Sequence, residues 1–252
     1  MRIRDFPKFG SAPAGLRYRD LFEADAEAGQ EKLRSAVEWG LYRKHCAGRG
    51  SGSLLNLKPA CSEGFFQGAG QSLKITSYPG VSDPLGWLRS LPADSFDAIF
   101  GLDFLGSVAD TGASIRELGR SLKSGGVLLL NFFSADHFAL ADSLPASGNR
   151  LSVRDRAAMP AQAITPAGVG ELATAGGLAV TGIIPYSSFY GNSLWLELME
   201  SRFRWERILD WLSSDARLFD FALFLEESII ANLASDCAPR FAAVLEKCGE
   251  GR

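Results

Sequence analysis

The sequence predicts an α/β fold built on a parallel or mostly parallel sheet covered by helices. Three observations carry that expectation. Strand and helix signals alternate between residues 53 and 186, the order that buries a sheet beneath its crossover helices. The run "GGVLLLNFF" (125–133) is apolar after its glycines except for one asparagine, as a strand buried on both faces requires. Thr165-Pro166 supplies a cap and a first-turn proline for the helix "AGVGELATA", and the strand signal "GGLAVTGIIPY" (176–186) follows it.

Taken in order, residues 17–46 are rich in Ala, Glu, Arg and Leu with no proline, and read as one or two helices ended by "AGRGSGS". Leu54, Leu55 and Leu57, with Asn56 among them, open the alternating region as a short buried strand. "LKITSYPG" (73–80) is a strand with a turn behind it, and "FDAIFGLD" (96–103) is a strand that ends on Asp103. Residues 110–123 form an amphipathic helix with Ile115, Leu118 and Leu122 on one face and Gly125 as its stop. Two further helical segments fall between residues 193 and 235, where Leu218, Phe221, Leu225 and Ile229 recur at helical spacing. "RFAAVLEK" (240–247) is the last strand. The chain therefore divides into an N-terminal helical segment (1–50), an α/β core (51–192), a helical insertion (193–237) and a last core strand with its tail (238–252).

Composition excludes several classes. The 46% hydrophobic and 22% charged residues are those of an ordinary globular chain, which rules out disorder and collagen-like structure. Twenty-six basic against 29 acidic residues give a net charge of −3, so neither nucleic acid nor an anionic membrane is expected as a partner. The first twenty residues carry charges every few positions and no apolar core of a secretory signal, and no window nears 18 consecutive apolar residues. A cytoplasmic location is expected. Cys46, Cys61, Cys237 and Cys248 have no C-x-x-C spacing, and His45 and His137 are the only histidines, so free thiols are expected and a zinc site is not.

Within residues 91–133, Leu91-Pro92, Ser95-Phe96-Asp97, Arg116-Glu117-Leu118 and Leu122-Lys123-Ser124-Gly125-Gly126 follow one another, separated by a strand and a helix and leading into a second strand. In that order they resemble the central part of the class I S-adenosylmethionine-dependent methyltransferases, in particular type 11-like members. A weaker similarity runs through "TPAGVGELATAGGLAVTGIIPY" and "RFAAVLEK", so the resemblance covers roughly residues 53–190 and the last strand. It implies a Rossmann-like seven-stranded methyltransferase sheet in three α/β/α layers, with ligands at the carboxyl ends of the strands. It also implies S-adenosylmethionine as cofactor and a small molecule or a glycan as substrate.

In that family the first strand ends in an acid followed by Gly-x-Gly-x-Gly, and the second ends in an acid that binds the ribose. Here Asn56 stands at the first acid and Lys58, Ala60 and Ser62 at the glycines, while Ser77, Tyr78 or Pro79 ends the second strand. The candidate cofactor contacts are Asn56, Ser62, Glu63 and Tyr78. Only residues 80–94 lie between "SYP" and "SFD", a short tract for the further strand and adenine-binding acid usual in that family; Asp83 and Asp94 are the acids available there, and they read as solvated turn residues rather than adenine ligands.

The candidate catalytic residues are Asp103 and His137. Asp103, at the mouth of the expected cleft, either orients a substrate hydroxyl or amine or caps the next turn, and Asn131 faces the same edge. His137 is either a general base for an oxygen nucleophile or an exposed loop histidine. Arg150, Arg154 and Arg156 suit an anionic group or a solvated loop. Tyr186, Phe189, Tyr190 and Trp195 suit a sugar or planar substrate, or core packing. The 193–237 helices are a substrate lid, a homodimer interface or a docking surface for a protein partner.

Three functions are consistent with this pattern: methyl transfer through a divergent cofactor loop, a non-catalytic binding or scaffolding subunit that has lost the cofactor, and a pocket kept for another nucleotide-like ligand. An open, polar cleft beside Asn56–Ser62 favours the enzyme. A cleft filled by Lys58, Phe65 or Tyr78 favours the subunit.

Overall fold

The alternating segments assemble into one mixed sheet. The structure is a computed structural model that describes residues 29–47, 52–58, 66, 73–137, 139, 163–186, 224, 238 and 240–249. Its elements are α1 (Gly29–His45), β1 (Ser53–Asn56), β2 (Lys74–Ser77), α2 (Pro84–Ser90), β3 (Phe96–Gly101), α3 (Thr111–Ser121), β4 (Leu122–Phe133), α4 (Pro166–Ala175), β5 (Leu178–Tyr186) and β6 (Arg240–Lys247). The sheet order is β2-β1-β3-β4-β6-β5. The first four strands run parallel, and β6 lies antiparallel between β4 and β5.

The expected seven-stranded sheet has six strands among the described residues. Residues 80–94 hold α2 and no strand, so β2 is the sheet edge among the described residues. The reason is length: each parallel crossover takes about a dozen residues, and this tract accommodates only one. Asp83, expected as a turn residue, caps α2 by accepting from the Gly86 N–H at 2.9 Å, with Pro84 in the first turn.

Successive side chains point to opposite faces of the strands and are sorted between two helical layers. Leu55, Ile99, Leu128 and Leu130 join the core shared with Leu88 of α2, Ile115 and Leu118 of α3 and Val169 of α4. On the opposite face the Phe100 ring meets Tyr42 of α1 at 5.8 Å and Phe66 at 5.4 Å, both edge to face. Burial, with a smaller push from Cys46, raises the Tyr42 phenol to about 12. Val127–Phe132 are all buried, as a strand covered on both faces requires.

α3 is capped by Asp110, which accepts from the Ala113 N–H at 2.8 Å, and α4 by Thr165, which accepts from the Gly168 N–H at 3.0 Å. Gly119 lets α3 approach the end of α4: a Cβ there would stand 2.5 Å from the Gly176 carbonyl oxygen. Gly125 takes φ +73° in the turn that leads into the buried part of β4, a conformation that favours glycine.

The amino-terminal edge of the parallel strands is stitched by charge. Lys123 Nζ donates to Asp97 Oδ2 at 2.8 Å, and the Ser53 N–H donates to the same oxygen at 2.7 Å. Burial pushes the Asp97 carboxyl up, but the hydrogen bonds from Lys123 and Ser53 outweigh it and hold the group below its usual value. Nearby, Lys247 donates to Asp94 and to the Leu122 carbonyl, each at 2.8 Å.

Candidate functional site

The strand order reverses between β1 and β3. β1 sends the chain outward to β2, whereas β3 starts the other half of the sheet. In open α/β sheets the crevice at the carboxyl ends of the strands at such a switch point is where ligands bind. Asn56 ends β1 on one side of it, and Asp103 follows β3 on the other.

Asp103 has φ 65° and ψ 0°, a left-handed conformation that aspartate tolerates at some cost. Asn131, on the neighbouring β4, holds it there from two directions. The Asp103 N–H donates to Asn131 Oδ1, and Asn131 Nδ2 donates to Asp103 Oδ1 at 2.9 Å. Arg240, the first residue of β6, reaches the same carboxylate oxygen through NH1 at 2.9 Å and lays its guanidinium 4.5 Å from the Phe133 ring centroid. The Asp103 side chain remains 34% exposed.

Lys58 bridges the crevice. The turn that presents it is fixed by two bonds: the Leu57 N–H donates to the Phe100 carbonyl at 2.8 Å, and the Lys58 N–H donates to Asn56 Oδ1 at 3.0 Å. Its ammonium contacts Asp103 Oδ2 at 3.3 Å and donates to Glu38, a residue of α1 that is 1% exposed. Among the described residues, two cations and two carboxylates from four separate parts of the chain thus converge on one edge.

The sequence-predicted residues divide accordingly. Asp103 and Asn131 are brought together as expected of residues facing one edge. Asn56 is buried and serves the Lys58 turn. Tyr78 is buried too, edge to face with Trp87 at 5.0 Å and Phe104 at 5.5 Å, and its hydroxyl donates to the Val81 carbonyl. His137 is 2% exposed, and its N–H donates to Ser134 Oγ at 3.2 Å; the exposed loop histidine is thereby corrected, because the chain turns back into a helical turn after β4. Ser62, Glu63, Phe65, Arg150, Arg154, Arg156, Phe189, Tyr190, Trp195 and, except for residue 224, the 193–237 helices lie outside the described residues.

Sequence reasoning missed Glu38 and Arg240. Glu38 interrupts the apolar pair Val37 and Trp39 in a helix, and Arg240 opens an apolar strand; both are weak signals of a charge that must find a partner. Among the described residues, no helix is long and apolar enough to cross a membrane, and no group of three or more His, Cys, Asp or Glu is placed to hold a metal ion.

No protein-family model matches the chain, and no curated protein matches its sequence. Among solved structures it is similar to phosphoethanolamine N-methyltransferase 2 of Haemonchus contortus, in a complex with phosphomonomethylethanolamine and S-adenosylhomocysteine. That match has a TM-score of 0.51 and 13% identity over 93% of this chain and 61% of the other. A complex of the same enzyme with S-adenosylmethionine gives 0.51 and 14% identity over 94% and 61%. The chain has the fold of the class I methyltransferases. It spans 61% of the Haemonchus chains. A methyltransferase from Mesorhizobium loti that depends on S-adenosylmethionine matches at TM-score 0.47 and 13% identity, over 85% of this chain and 99% of the other.

The donor set at the switch point suits the amino-acid end of S-adenosylmethionine. Asp103 and Arg240 carry the two charges that the ammonium and carboxylate of that end would meet, and in this structure they pair with each other at 2.9 Å. The ribose end has less: β2 closes on the exposed Ser77, a hydroxyl where the resembled family has an acid.

Proposed function

We propose that this methyltransferase-fold protein works at the β1/β3 switch point and transfers a methyl group from S-adenosylmethionine to a small molecule or a glycan. The observation that carries this reading is Asp103, a carboxylate held in a left-handed conformation by Asn131 and left partly exposed at the ligand edge. In this reading Asp103 and Arg240 hold the charged end of the cofactor, which when bound supplies an electrophilic methyl group. Asp103 also accepts a hydrogen bond from the substrate hydroxyl or amine and so orients its lone pair. His137, buried just past β4, takes the proton that the nucleophile gives up.

The alternative reading is a protein of the same fold that binds or scaffolds without the cofactor. Lys58 stands at the first glycine position of the cofactor loop and bridges the crevice to Asp103, and Tyr78 packs against Trp87 and Phe104 at the end of β2. Both residues stand at sequence positions where the resembled family has cofactor contacts, and this is the ground for the alternative, a non-catalytic binding or scaffolding subunit.

Titration of the purified protein with S-adenosylmethionine and S-adenosylhomocysteine, read by calorimetry and by melting temperature, separates the two. Methyl transfer requires binding at about 10–100 μM or tighter. Absence of heat and an unchanged melting temperature at millimolar ligand would sink it in favour of the subunit.

A further inference from the structure

Lys58 places an ammonium at a fixed point by means that do not involve the groups receiving it. Its turn is set by Asn56 and by the Phe100 carbonyl. The receiving carboxylates are set separately. Asp103 is oriented by Asn131 and Arg240, and Glu38 rides on α1, which Tyr42 anchors against Phe66 and Phe100. The Lys58 side chain is 10% exposed and that of Glu38 is 1%, so the pair lies where an uncompensated charge is costly.

We infer that Glu38 and Asp103 form a preorganised receptor for a primary alkylammonium group, and that Lys58 fills this receptor from within the chain. A ligand carrying such a cation to the carboxyl edge therefore competes with Lys58 for Asp103. The inference shares Asp103 with the methyl-transfer reading but does not rest on it, since it concerns which cation the two carboxylates hold rather than any reaction.

Truncation supplies the test. Lys58→Ala removes three methylenes and the ammonium, the shape of n-propylammonium. The variant is expected to melt about 5 °C or more below the parent protein, because the buried Glu38 loses the Lys58 ammonium while Asp103 keeps only part of its cation contacts, Arg240 among them. Tens of millimolar n-propylammonium chloride should recover at least half of that loss, while equal n-propanol or sodium chloride should not, and the parent should respond to none of them. Failure of n-propylammonium to rescue, or equal rescue by n-propanol or by sodium chloride, overturns the inference: the lysine would then matter for its stem or for general screening.

Should the alanine variant not fold, reductive methylation of the parent protein decides instead. Lys58 must react at least about tenfold more slowly than the exposed Lys74, and equal rates overturn the inference. Titration with S-adenosylhomocysteine is read separately, so loss of the methyl-transfer reading leaves the rescue result intact.

Discussion

The two edges of the sheet both carry lysine–aspartate pairs, yet they are built differently. At the amino-terminal edge Lys123 meets Asp97 with side chains 42% and 27% exposed, and the bonding groups sit on strands that are neighbours or nearly so. At the carboxyl edge Lys58 meets Glu38 and Asp103 with far less exposure, and the groups come from α1, the turn after β1, the turn after β3 and β6. The first arrangement stitches strands that would pair anyway. The second buries charge at the ligand edge of the fold, where apolar residues would hold the elements together at lower desolvation cost. Charge concentrated there, on an Asp103 in the left-handed region, is what supports the proposal that this edge is a site.

The sharpest way to break this comparison is a matched pair of substitutions. Lys58→Met is expected to cost about 3 kcal/mol in urea unfolding because Glu38 loses its cation inside the protein. Lys123→Met, at a half-exposed pair, should cost no more than about 1 kcal/mol. Equal losses would erase the distinction between the two edges.

Asp103 sharpens it further. Asp103→Gly should be more stable than Asp103→Ala by about 1 kcal/mol, because glycine accepts the left-handed backbone that alanine resists. Both should abolish whatever binding the edge supports. An alanine variant as stable as the glycine one would mean that the backbone relaxes and stores no strain.

The smallest effect belongs to Asp97. Its folded-state value is lowered, so the unfolded chain takes up protons first as pH falls. The stability it contributes is complete above the unfolded value near 4 and is lost as pH drops through the folded one. Asp97→Asn should therefore differ from the parent at pH 7 by less than about 1 kcal/mol and converge with it in acid. A gap that persists unchanged at pH 2.5 would show that the carboxylate's charge is not what matters there.

Much of the fold was legible along the chain. Local signals sufficed for the strand at "FDAIFG", the cap and proline of α4 and the apolar run of β4, because each depends on residues within a few positions of one another. α2 was missed because a seven-residue helix is too short for periodicity to register, although Asp83-Pro84 carried its cap. At the site, Asp103 and Asn131 were legible as the polar residues that close the apolar runs "AIFGL" and "VLLL", although β3 ends two residues before Asp103 and β4 runs two residues past Asn131. Glu38 and Arg240 were not, since no local pattern says which charge a lone helical glutamate or a strand-opening arginine will meet.

By itself, then, the sequence determined the α/β class, the strand most deeply buried, the lost glycines of the first loop and the acid that closes β3. These follow from local propensity, hydrophobic period and residue identity. Only the tertiary structure decided that Tyr78 turns inward onto Trp87 and Phe104 and that Lys58 lies between Glu38 and Asp103. Lys58 is separated from its two partners by 20 and 45 residues, and a charge pair at such range exists only once packing has brought the elements together.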